Sequence, residues 1–381
     1  MLSGCPQAVT LQEQSSEPLA AQKVNDVIVQ PFELSNVDLA ASKAELALFE
    51  RDMNASILAR DFEALEKMAA QFRRTKERFI GGGWKIHSFY TTMSAPPDKT
   101  NTEAAWQAHI NYLRAWKRAK PQSITARCAL VGTYINYAWF ARGRGYANTV
   151  SESAWKSFFE RIDIAVAEAK SITNPEDDPY GYFENKLMLA TAQDWGREWF
   201  EKTFIEATTY DPSYQYFYCE TATNLLPRWG GRPGEWEQFA EQAKNHIGGD
   251  EGLRIYYFIA AEISYYYGAD FFKQNRVAWS DIKRGFLISV KQDGTTVFRL
   301  NQFGAMAFAA LDSQTICKSF ALLTSDDYDS VIWNSKEGFE SRRKMAQTMC
   351  TIPRIDNMVK DPSPLPPSSP VPTPTSKDTF L

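Results

Sequence analysis

Three short loops each set a cationic side chain beside an aromatic ring and glycine backbone. They are Gly81-Gly82-Gly83-Trp84-Lys85, Arg142-Gly143-Arg144-Gly145-Tyr146 and Arg228-Trp229-Gly230-Gly231-Arg232. A guanidinium can pair with a carboxylate or phosphate while its plane stacks on a ring. Gathered on one rim, Trp84, Lys85, Arg142, Arg144, Tyr146, Arg228, Trp229 and Arg232 would make an anion-accepting, aromatic-edged binding site. Taken singly, each loop is a tight turn between helices. The glycine triplet lacks the GxxxxGK[ST] spacing of a phosphate loop and follows a helix rather than a strand. The binding reading therefore depends on convergence of the loops in space.

A second candidate is the aromatic segment Ile255 to Tyr267, in which Tyr256, Tyr257, Tyr265 and Tyr266 either line a concave groove or pack a helical hairpin. Packing is the favoured reading, because aromatic side chains dominate cores. Nothing else in the chain announces chemistry. The histidines His87, His109 and His246 form no HxxxH or HExxH pair, so a zinc hydrolase is not expected. No GxSxG nucleophile elbow is present. The acids Glu176, Asp177, Asp178, Asp326 and Asp327 stand in turn-like sequence and read as solvated loop or cap residues. No catalytic residue, metal or cofactor is assigned.

These candidates must be positioned by helices. Leu46, Phe49, Met53, Ile57 and Leu58 recur at helical spacing, as do Phe62, Leu65, Met68 and Phe72, predicting a hairpin of helices over 38–59 and 61–77. Further helices are predicted over 103–120, 123–141 with Ser123 as N-cap, 151–166, 180–195, 199–208, 214–229, 235–247, 253–272, 279–291, 298–311, 313–323 and 336–349. No stretch shows strand-type alternation. Turns near residues 60, 142, 230 and 311 imply a weak repeat of roughly 40 residues. The fold class expected is all-α, an irregular tetratricopeptide-like array of helical hairpins, that is, an α-solenoid. Residues 1–36 read as a polar lead or tether, 37–350 as the helical-repeat domain, and 351–381 as a Pro/Ser/Thr-rich tail. Both termini are expected to be disordered.

The chain of 381 residues carries a formal charge of −4 without any long basic run, which excludes a nucleic-acid partner. No stretch reaches the length needed to span a membrane. The cysteines Cys5, Cys128, Cys219, Cys317 and Cys350 are widely spaced, so neither a disulfide framework nor a zinc site is expected, and Cys128, Cys219 and Cys317 read as small core hydrophobes. Leu2-Ser3-Gly4-Cys5 has the form of a lipobox, the site at which a bacterial lipoprotein is cut and acylated. Two readings stand side by side: a chance match in a cytoplasmic protein, or a start placed late in an envelope lipoprotein with Cys5 as its lipid attachment.

The segments Arg60-Asp-Phe-Glu-Ala-Leu65, Phe79-Ile-Gly-Gly-Gly-Trp-Lys85, Ser123-Ile-Thr-Ala-Arg127, Tyr137-Ala-Trp-Phe-Ala-Arg-Gly143 with Gly145-Tyr-Ala147, and Leu226-Pro-Arg-Trp-Gly-Gly-Arg-Pro-Gly-Glu-Trp236 form a set. Together they resemble a bacterial family, the domain of unknown function numbered 4034. The resemblance covers about residues 45–345. It implies a helical, repeat-like fold and brings no activity with it.

The first functional reading is a non-catalytic scaffold for a protein or peptide, with aromatic anchors supplying area and loop arginines supplying orientation. The alternative is an enzyme or a saccharide or small-molecule binder that uses an aromatic groove. A further alternative is an envelope lipoprotein acting in assembly or as an inhibitor of a toxin or enzyme. One observation discriminates between the first two. A pocket that holds a carboxylate beside an aromatic platform favours the small-molecule reading, and a smooth open groove favours the scaffold.

Overall fold

The computed structural model describes residues 34, 36–97, 101–143, 145, 147–193 and 195–351. The expectations for the termini, for Cys5, and for Arg144 and Tyr146 lie outside the described residues. Within them the chain is all-α. The only extended pairing among the described residues is an isolated bridge between Arg78 and Trp84.

The helices follow in order: α1 (Leu39–Ala59), α2 (Phe62–Thr75), α3 (Lys85–Met93), α4 (Glu103–Ala119), α5 (Ile124–Arg142), α6 (Glu152–Lys170), α7 (Pro179–Gln193), α8 (Arg197–Tyr210) and α9 (Gln215–Asn224). Then come α10 (Glu235–Ile247), α11 (Gly249–Tyr267), α12 (Phe271–Gln274), α13 (Trp279–Asp293), α14 (Val297–Ala309), α15 (Ser313–Phe320), α16 (Ser330–Trp333) and α17 (Lys336–Thr351). Many starts are written in single residues. Asp38, Asp61, Thr102, Ser123, Ser151, Thr296 and Asp312 each accept a hydrogen bond from a backbone N–H of the first turn. Such a cap satisfies a donor that has no partner inside the helix.

Alternate helices α3, α5, α7, α9 and α11 pack side by side, and α4, α6, α8 and α10 lean on them from outside. The beginning of the chain then meets its end. Gly81 N–H donates to the Asp293 carbonyl at 2.7 Å, and Lys43 pairs with Asp327 at 2.6 Å. Trp84 is fully buried, and its indole N–H donates to Gln215 Oε1 at 3.2 Å. The glycine triplet has a structural task here. Gly81 and Gly82 hold φ of 93° and 78°, where an L side chain is strained, and a Cβ on them would lie 2.7 Å from Thr296 and 2.8 Å from Asp293. Only glycine lets this loop lie against the α13–α14 junction.

Several expectations need correction. Cys317 and Cys350 form a disulfide, with Cα atoms 5.6 Å apart, because α15 packs against α17. Cys317 is therefore not a free core thiol, whereas Cys128 and Cys219 are free and buried. The paired acids also divide. Asp177 and Asp326 are exposed as expected, but Asp178 and Asp327 are buried. Asp178 accepts from Arg73 at 2.5 Å, from the Tyr90 hydroxyl and from Gly181 N–H. Asp327 caps Thr324 and pairs with Lys43. Finally, the span predicted as one helix over 214–229 ends at Asn224, and Pro227–Trp229 forms a separate 3-10 turn.

Candidate functional site

Four of the side-by-side helices turn one stripe each toward a common cleft of about 860 Å³. The stripes follow helical spacing, by which residues three and four apart share a face. Asn136, Trp139, Phe140 and Gly143 come from the end of α5, and Met188 and Thr191 from α7. Glu220 and Thr223 come from α9, and Glu262, Tyr265 and Tyr266 from α11. Trp106 of α4 and the loop residues Arg228 and Trp229 complete the wall. This volume lies within the usual range for small-ligand sites.

The aromatic side of the cleft is braced by cations. The Arg142 guanidinium sits 5.3 Å from the ring centre of Trp139, 4.8 Å from Trp155 and 5.9 Å from Trp229. Trp139 and Trp229 meet edge to face at 5.4 Å. Arg228 lies over Tyr266 at 5.2 Å. The Trp229 indole N–H and Arg142 Nε are buried without a hydrogen-bond partner. A buried donor left unpaired is costly, and an incoming acceptor would satisfy it.

The opposite side is acidic. Glu220 and Glu262 face the cleft, and neither has a hydrogen-bond or ion-pair partner among the described residues. One turn earlier on the same helices the polar groups are tied together. Glu184 lies 2.6 Å from His87 Nδ1 and accepts from the Tyr214 hydroxyl at 2.7 Å. The His87 ring stacks on Tyr216, with centres 3.4 Å apart. This deeper group gives the unpaired acids their electrostatic surroundings. Burial pushes the Glu220 carboxyl up to about 8, and the negative charges of Glu184 and Glu262 add to the shift. Burial of its carboxyl also raises Glu262, although the residue as a whole is exposed, and positive charge at His87 and Arg299 opposes that rise. The Tyr266 hydroxyl is pushed up to about 12 by burial and by the same two carboxylates. No group of three or more His, Cys, Asp or Glu side chains arranged to hold a metal ion occurs among the described residues.

The sequence candidates separate on this geometry. Arg142, Arg228, Trp229, Tyr265 and Tyr266 come together in the cleft. Trp84 and Lys85 do not join them. Trp84 is core, packed on Tyr180 and Tyr214, and Lys85 pairs with Glu45 and Glu77 at 3.1 and 3.3 Å. Arg232 points to solvent, with its side chain 87% exposed, and pairs with Glu235. Tyr256 and Tyr257 are buried in hairpin packing, Tyr256 accepting from Ala278 N–H and Tyr257 lying on Phe286. So the loops do not all gather on one rim; the second and third do.

Sequence reasoning missed Glu184, Glu220 and Glu262. A signal was present: each is a lone acid inside an aromatic or apolar run, as in Tyr218-Cys-Glu220-Thr-Ala222 and Ala260-Ala-Glu262-Ile263. A carboxylate in such a run is rarely there for packing. A second cleft of about 430 Å³ lies between α6, α7 and α8, walled by Val131, Leu189, Trp195 and Trp199. Of the two lysines that line it, Lys170 and Lys186, the latter is paired with Glu206. No known protein family, curated protein or solved structure matches this chain.

Proposed function

We propose that the protein binds a small, hydroxyl-rich ligand with flat apolar faces, a saccharide, in the cleft between α5, α7, α9 and α11. The observation that carries this reading is the pair of unpartnered carboxylates, Glu220 and Glu262, facing aromatic walls across one cleft. Rings such as Trp139 and Tyr265 offer platforms to a sugar face, and the acids, Arg228 and the Trp229 N–H offer donors and acceptors to its hydroxyls. A protein-binding scaffold would draw on an extended surface. Here the shared face of the helices is a cleft of ligand size, which weighs against that reading.

The packing of alternate helices supports a tetratricopeptide-like array, and the likeness to the family numbered 4034 is kept as a proposal of kinship. The Cys317–Cys350 disulfide supports a location outside the reducing cytosol, since such bonds persist in oxidising compartments, and it agrees with lipid attachment at Cys5. Thiol alkylation of the native protein before and after reduction tests the location, and two freely alkylated thiols at 317 and 350 would remove its support.

Intrinsic fluorescence tests the binding itself, because Trp106, Trp139 and Trp229 line the cleft. Titration with cello-, xylo-, chito- and malto-oligosaccharides is expected to give a saturable change with at least one series. A flat response to all four, together with a stoichiometric protein partner that protects the Trp229 loop, would return the chain to the scaffold reading.

A further inference from the structure

We propose that a separate, strongly basic cavity between α4, α5 and α6 binds a phosphate-bearing anion. It shares no lining residue with the aromatic cleft, so it is independent of the saccharide reading.

The cavity has a volume of about 510 Å³. Its wall is Arg114, Lys117 and Arg118 of α4, Pro121, Arg127 of α5 and Glu168 of α6. Four of these side chains are cations and one is an acid, in a chain whose formal charge is −4. Arg127 lies near the start of α5 and the cleft residue Trp139 near its end, about 18 Å apart along the axis by the rise of a helix.

Arg114, Lys117 and Arg118 stand at i, i+3 and i+4, so one face of α4 carries all three. Like charges at that spacing repel each other. The negative end of the helix offsets this for Lys117 and Arg118, which lie in the last turn. Arg114 lies a turn earlier, and Arg127 is near the positive end of α5, where a cation is disfavoured. Helix electrostatics therefore do not account for the cluster, and an anion among the four cations would relieve it.

Two of the guanidinium groups are held ready. Arg114 donates to the Tyr134 hydroxyl at 2.7 Å and lies 5.9 Å from the centre of that ring. Arg127 donates to Ser171 Oγ and to the Pro121 carbonyl, both at 2.9 Å. These acceptors are neutral, so each guanidinium keeps its charge and has further N–H groups to offer. Lys117 is the neutralised cation, paired with Glu168 at 2.5 Å. Arg118 has no hydrogen-bond or ion-pair partner among the described residues.

The ligand class follows from this donor set. A carboxylate presents one edge and one charge, which a single guanidinium fork satisfies. Three guanidinium groups around one cavity suit a tetrahedral anion with oxygens on several sides and a charge near −2, which describes a phosphate monoester or pyrophosphate. A soluble phosphate compound and a phospholipid headgroup both offer that chemistry.

The full chain is titrated with inorganic pyrophosphate by calorimetry. In a second arm it is sedimented with phosphatidylcholine vesicles that contain or lack phosphatidic acid. Saturable binding is expected in at least one arm, with no response to acetate or to phosphatidylcholine alone. Arg118→Ala removes no internal contact and is expected to weaken binding at least about tenfold, the equivalent of one charge-assisted hydrogen bond. Arg114→Lys keeps the charge but loses the planar fork, and is expected to weaken it as well. Lys202→Ala removes a cation of α8 whose side chain is 75% exposed, and is expected to leave binding unchanged. Binding of pyrophosphate alone would assign the cavity to a soluble phosphate compound, and binding of the phosphatidic acid vesicles alone to a lipid headgroup. No binding in either arm would overturn the proposal. So would an equal loss in Arg118→Ala and Lys202→Ala, because the anion would then follow overall charge rather than this cavity.

Discussion

Two acids in this protein have opposite surroundings. Asp178 has no exposed surface and accepts hydrogen bonds from Arg73, Tyr90 and Gly181. It joins α2, α3 and the start of α7, so two of its donors, Arg73 and Tyr90, come from elements distant in the chain. Burial raises its carboxyl above the ordinary range, and Arg73 first among its partners opposes that rise. Glu220 is half-buried, its charged neighbours repel it and its face is open to the cleft. The comparison teaches that an acid's partners, as well as its burial, decide what it is free to do. An acid whose bonds are filled holds the fold, and an acid whose bonds are left open is available to a ligand.

The largest expected effect lies on the structural side. Asp178→Ala leaves Arg73 without its counter-charge, with its side chain only 16% exposed. Removing one partner of a buried pair costs about 3–5 kcal/mol, so chemical denaturation should show a loss of that order. A loss under about 1 kcal/mol would mean that the pair behaves as a surface ion pair, and the contrast would collapse. Next is Tyr90→Phe, which removes one donor and keeps the ring. A hydrogen bond to a charged group contributes about 1.5–3 kcal/mol, and the variant should fall in that range by the same measurement.

The smallest effect sharpens the other side. The Glu220 carboxyl is raised in the folded protein from 4.5 to about 8, so the folded state holds the proton more tightly than the unfolded chain. Its contribution is fully present below 4.5 and is lost as pH rises through about 8. Glu220→Gln cannot lose a proton. Relative to wild type it should gain stability across that window, by well under the about 1.36 kcal/mol per pH unit that a single proton allows, because cleft water solvates the carboxylate. Thermal unfolding at acidic, neutral and mildly basic pH measures this. Parallel profiles for the two proteins would show that the Glu220 carboxyl binds its proton no more tightly in the folded protein than in the unfolded chain.

Much of the fold was legible because helix ends are local. The span 235–247 is read from sequence with the bounds of α10, and Ser123 caps α5 as its position predicts. The short α3 was missed. It follows the glycine triplet, carries two threonines and is placed by packing on α5 and α7, so its own sequence holds little helical signal. The loop candidates were half legible. The Arg-aromatic pattern picks out Arg142 and Arg228 correctly as neighbours of one cleft, and the same pattern at Trp84-Lys85 marks a buried joint between the chain's two ends.

The sequence by itself determined the helices and where they stop, because periodicity, capping side chains and glycine act over a few residues. Only the tertiary structure decided which acids stand together. Glu184, Glu220 and Glu262 stand on three separate helices, and their mutual repulsion exists only once α7, α9 and α11 pack side by side. The same holds for Cys317 and Cys350, whose pairing depends on α15 meeting α17. The reason is range. Backbone hydrogen bonds and torsional preferences are set by near neighbours in the chain, whereas desolvation and charge repulsion depend on whatever the fold brings close in space.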